Sequence, residues 1–80
     1  MLAEQIKQMI ETGLPGCQVQ VLGDDGQHFD AVVVSDAFEG KGMLQQHRLV
    51  YATLGGKVED GSIHALALKT YTPDAWAKAQ

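Results

Sequence analysis

Four side chains in this 80-residue chain carry the imidazole or thiol donors that transition metals take: Cys17, His28, His47 and His64. His64 is the most telling of them. It stands at Ile63-His64-Ala65, opening a run of apolar residues where packing alone needs no imidazole. The residues by themselves leave two readings of it: a strand histidine satisfied by a backbone carbonyl, or a ligand. His28 follows the turn Gly23-Asp24-Asp25-Gly26 and reads either as a solvated loop histidine or as a ligand. His47 lies beside Arg48 in a helical stretch and is expected to be structural or partly exposed. A single cysteine excludes an internal disulfide and any multi-cysteine zinc or iron–sulfur motif within one chain, and this usage fits a reducing compartment. Asp24 and Asp25 are explained by turn preference rather than by acid–base work. No serine or cysteine has a base at motif spacing, and no phosphate-binding loop follows a strand, so an enzyme is not expected.

The elements that must position these side chains follow from hydrophobic period. Leu2, Ile6, Met9 and Ile10 recur at helical spacing and predict a helix over residues 2–12. Gly13 suits a left-handed stop, with Pro15 just beyond it. Cys17, Val19 and Val21 alternate with Gln18 and Gln20, the pattern of a half-buried strand. After the turn, Phe29–Ser35 is apolar on much of both faces and predicts a central strand joined to the first by a hairpin. Gly40 and Gly42 precede a helix over 43–54, whose buried stripe is expected to be Met43, Leu44, Val50, Tyr51 and Leu54, with Gln45, Gln46 and Arg48 in water. A third strand covers 63–71, and Thr72-Pro73-Asp74 then caps a short terminal helix carrying Trp76.

The order α-β-β-α-β-α, with a right-handed crossover into the last strand, predicts an α+β fold: a three-stranded mixed sheet with helices packed on one face, forming a single domain over residues 1–80. Parallel strands two and three would begin at the same sheet edge, about 4.8 Å apart, so His28 and His64 could reach one metal centre. Cys17 begins an antiparallel strand and falls roughly 17 Å away at the opposite edge. It is expected to be a small buried hydrophobe.

Composition narrows the setting. With 45% hydrophobic residues the chain can build one modest core, and a formal net charge of −4 disfavours generic nucleic-acid binding. No apolar run approaches the roughly 20 residues that cross a bilayer, and Met1-Leu2-Ala3-Glu4 meets an acid at once. A cytoplasmic protein without a membrane partner is expected.

Taken in order, Val33-Val34-Ser35, Phe38-Glu39-Gly40-Lys41, His47-Arg48-Leu49-Val50-Tyr51 and Ile63-His64-Ala65-Leu66-Ala67-Leu68, running into Thr72-Pro73-Asp74-Ala75-Trp76, carry a resemblance. The chain resembles the BolA-like family, whose fold is related to the class II KH arrangement. The resemblance implies an adaptor that forms a heterodimer with a monothiol glutaredoxin and shares a [2Fe–2S] cluster with it. The family's histidine at the start of the last strand falls on His64. Its second ligand, a cysteine or histidine from the loop between the first two strands, falls on His28. A glutaredoxin cysteine and the cysteine of bound glutathione would supply the other two, so no cofactor is expected in the isolated chain. A homodimer is compatible with the same reading. The chain departs from the pattern after Leu54, where Gly55-Gly56-Lys57-Val58 replaces the acidic helical stretch of many relatives.

Some relatives are described as DNA-binding regulators, and the alternative reading places nucleic acid on Lys41, Gln45 and Arg48 of the second helix. A KH clamp needs a GxxG loop between two helices. Gly40-Lys41-Gly42 has the wrong spacing, and the aspartates of Gly23-Asp24-Asp25-Gly26 would repel phosphate. The plainer reading of the basic residues is a solvated helix face.

Overall fold

A computed structural model describes residues 1–80. It contains α1 (Ala3–Gly13), β1 (Gln18–Leu22), β2 (His28–Val34), a 3-10 turn at Asp36–Phe38, α2 (Met43–Ala52), β3 (Ala65–Tyr71) and α3 (Pro73–Ala79). The sheet order is β1-β2-β3, with β1 antiparallel and β3 parallel to the central β2. The expected mixed three-stranded sheet is therefore present. Phe29, Ala31 and Val33 point to one side of β2 and are buried there with Ile6 and Ile10 of α1 and Val50 of α2. Phe38, Leu54 and Ile63 complete the same core from the connecting segments.

At the start of α1 the Leu2 N–H donates to Gln5 Oε1 at 2.7 Å, satisfying one of the orphan donors of the first turn. Gly13 does not stop α1 in a left-handed conformation, as the spacing suggested. It is the last helical residue and lacks a positive φ. Its role is close approach: a Cβ there would lie 2.7 Å from the Thr53 Cβ, at the end of α2. Glycine lets α1 and the segment following α2 meet without a clash.

α2 corrects the expected stripe. Val50 and Leu54 are fully buried, but Met43 is 72% and Leu44 63% exposed, and Tyr51 is also exposed. The reason is polar. Gln46, expected in water, turns inward: its Nε2 donates to the Lys41 carbonyl at 2.8 Å, and its Oε1 accepts from Thr70 Oγ1 of β3 at 2.6 Å. Gln46 thus ties α2 to β3 through its bond with Thr70, is braced by its bond to Lys41, and fixes the helix's rotation, which leaves Met43, Leu44 and Tyr51 outside. The helix ends at Ala52, and the chain passes through tight turns before re-entering the sheet.

β3 begins two residues later than the apolar run suggested. Ile63 is drawn fully into the core and its N–H donates to the Lys57 carbonyl at 3.0 Å, so it cannot join the ladder. At the other end Thr72 Oγ1 accepts from the Ala75 N–H at 3.1 Å and starts α3. Trp76 packs on Tyr71 with ring centroids 5.1 Å apart. With Gln18, Gln20, Val32 and Val34 it lines a shallow cavity of about 190 Å³ on the sheet face away from α1 and α2.

Candidate metal centre

The parallel pairing of β2 with β3 builds the site. His28 is the first residue of β2 and pairs with Ala65, the first of β3; the Ala65 N–H donates to the Gln27 carbonyl at 2.9 Å. His64 therefore stands immediately before the ladder, beside His28. Their ring centroids are 5.3 Å apart, edge to face at 78°. Both residues are exposed, and the His28 side chain retains 59% of its accessibility. His64 is not sealed in the core, and its ring has no hydrogen-bond partner within the chain.

The loop that delivers His28 is organised by one carboxylate. Asp25 Oδ1 accepts from the backbone N–H groups of Gln27 and His28, each at 2.8 Å, and Asp25 Oδ2 lies 2.8 Å from His28 Nδ1. Gly26, at φ +76°, supplies the left-handed residue that lets the chain turn back between them. The bond from the His28 backbone, then those from its ring and from the Gln27 N–H, hold the Asp25 carboxyl far below the usual carboxylate range. A depressed folded-state value means the stabilisation is complete above the free aspartate value of about 3.9 and is lost only as pH falls through the folded one. The loop keeps its anchor through mildly acid conditions.

Asp25 is the contributor to this arrangement that sequence reasoning missed. Its signal was the spacing Asp25-Gly26-Gln27-His28, an Asx turn whose second oxygen is free to reach the side chain three positions on.

The remaining donors are elsewhere. Cys17 sits just before β1, at the end of the sheet where Gln18 pairs with Val34, the far end from His28. It is half-buried rather than sealed, and burial first, then Glu11, pushes its thiol up, away from the thiolate a metal requires. His47 is half-buried in α2. No group of three His, Cys, Asp or Glu side chains is placed to hold an ion, so a metal on the converging pair would need ligands from outside the chain. Lys41, Gln45 and Arg48 are all exposed on or beside α2, where they share the surface with Met43 and Leu44.

Residues 11–75 match the family model described as BolA-like protein. The chain belongs to the BolA family. Among solved structures, a BolA homologue from Coxiella burnetii superposes with a TM-score of 0.83 at 50% identity, over 96% of this chain and 97% of that one. The acid stress protein IbaG of Escherichia coli K12 is 34% identical over 74 residues, covering 92% of this chain and 87% of its own. The DNA-binding transcriptional regulator BolA of the same organism is 45% identical over 53 residues, covering 66% of this chain and half of its own length (50%). These BolA relatives carry the names of a stress protein and a regulator, not of enzymes. No helix of this BolA-family chain is long and apolar enough to cross a membrane.

Proposed function

We propose that this chain is a non-enzymatic cytoplasmic adaptor in iron–sulfur cluster trafficking or sensing, binding a [2Fe–2S] cluster jointly with a monothiol glutaredoxin. The observation that carries this reading is the convergence of two exposed imidazoles, 5.3 Å apart, on a chain with no third ligand beside them. His64 and His28 would hold one side of the cluster. A site of four is completed from outside, by the glutaredoxin cysteine and the thiol of bound glutathione. When bound, the cluster supplies one-electron redox chemistry, at a potential that imidazole ligation raises relative to thiolate. What the chain's own residues contribute is binding and release. Imidazoles ligate as neutral donors through a ring nitrogen, where soft thiolates are the usual holders of iron–sulfur clusters, which suits a cargo that must be handed on.

The test is to mix the chain with a cluster-loaded monothiol glutaredoxin and follow visible absorption and circular dichroism. Both should change as imidazole enters the coordination shell. Spectra identical to those of the glutaredoxin alone would rule the adaptor out.

A second reading is supported by the likeness to the DNA-binding regulator and by the exposure of Lys41, Gln45 and Arg48. In it the surface of α2 contacts the phosphate backbone. Binding to duplex DNA at about 0.1 M salt should then weaken as salt is added, and Arg48→Ala should weaken it further. A chain that retains no DNA under these conditions is not a DNA-binding protein of this kind.

A further inference from the structure

We infer that Asp25 is a positioning residue that fixes His28 in a single tautomer, with Nδ1 protonated and Nε2 presented as the ligating atom, while His64 is left free to choose. This rests on the reading of His28 as a ligand given above. A carboxylate can only accept, so the 2.8 Å contact between Asp25 Oδ2 and His28 Nδ1 requires the proton on Nδ1. In the neutral ring the lone pair then sits on Nε2. The same carboxylate cannot rotate away. Its other oxygen is held by two backbone N–H groups, from Gln27 and His28, at 2.8 Å each. Position, ring orientation and protonation of His28 are therefore set by one side chain before any metal arrives. The arrangement matches that of metal sites in which an outer carboxylate orients a histidine ligand and raises its basicity.

His64 differs. Its ring touches the edge or face of His28 but makes no hydrogen bond within the chain. The two ligands are thus unequal: His28 is preset, and His64 adapts to what is bound. Binding would order His64 and leave His28 as it was.

Asp25→Asn separates this from a merely structural role. The amide oxygen can still accept the two backbone N–H groups, so the loop is retained. The other amide position becomes a donor facing His28 Nδ1, and the ring must answer by moving its proton to Nε2. Imidazole ¹⁵N spectra of the isolated chain at about pH 8.5, where free imidazole is neutral, read this directly. The unaltered chain should show His28 as the Nδ1–H form and His64 as an averaged mixture; Asp25→Asn should switch His28 to Nε2–H with thermal unfolding little changed. Taking cluster from a loaded glutaredoxin should then weaken by about 10- to 100-fold. His28 in mixed or Nε2–H form in the unaltered chain, or unchanged by the substitution, overturns the inference. So does a tautomer switch with undiminished cluster uptake, because His28 would not then ligate through Nε2. No uptake even by the unaltered chain counts against the adaptor function, and the spectra of the isolated chain still decide what Asp25 does.

Discussion

His64→Ala is expected to abolish the cluster-dependent change in visible absorption and circular dichroism that the unaltered chain produces with a loaded glutaredoxin. The side chain lies outside the core and outside the β3 ladder, whose first pair is Ala65 with His28. Removing it takes away no hydrogen bond, only an exposed edge-to-face contact with His28. Thermal unfolding should shift by no more than a surface substitution does, within about 0.5 kcal/mol. A lost spectral change with an unshifted melting curve would therefore report ligation and not folding. His28→Ala should also lose the change, but with some loss of order in the loop, because the Asp25 carboxylate loses its ring partner. Retention of the full spectral change by His64→Ala would show that the cluster, if bound, is held elsewhere.

Two leucines close together in the chain, Leu54 and Leu44, should behave oppositely when shortened to alanine. Leu54 is 0% exposed and packed among the core residues, so its truncation should cost about 2–5 kcal/mol through lost burial and the cavity left behind. For a domain of this size the total stability is of the order of 5–15 kcal/mol, so that loss would be a large share of it. The melting temperature should fall by at least about 8 °C. Leu44, at 63% exposed, should cost no more than about 0.5 kcal/mol. Thermal unfolding of the two variants decides how α2 is rotated against the sheet. Comparable losses would mean that the helix buries the stripe its apolar spacing suggests and that Gln46 does not hold it where described.

Much of the fold was legible because local and global signals agreed. In β2 the apolar residues on both faces, Phe29, Ala31 and Val33 on one and Val32 and Val34 on the other, marked the central strand. Thr72-Pro73-Asp74 marked the start of α3 through chemistry that works at short range. Legibility failed where a polar residue overrode an apolar pattern. Gln46 is hydrophilic by type, yet it has two partners within the chain, the Lys41 carbonyl and Thr70 Oγ1; no periodicity count includes a bond to a strand more than twenty residues away. Gly13 failed for a related reason. A helix-ending glycine and a glycine required by a neighbour look alike in one dimension. At the candidate site, the proximity of His28 and His64 could be anticipated from strand direction alone. Asp25 could not, because turn preference already accounted for an aspartate there, and its second oxygen became informative only once the ring was in view.

The register that sets His28 against Ala65 makes the proposed uptake of cargo depend on folding. The two imidazoles belong to opposite ends of a crossover that passes through β2, α2 and the glycine-rich turns, and nothing local brings them together. In an unfolded or half-synthesised chain they are strangers, and the entropy of closing so long a loop keeps them apart. Under the proposed function, chelation by the pair would therefore require a completed tertiary structure. A damaged copy would forfeit its hold along with its shape, and an immature one would not sequester iron prematurely.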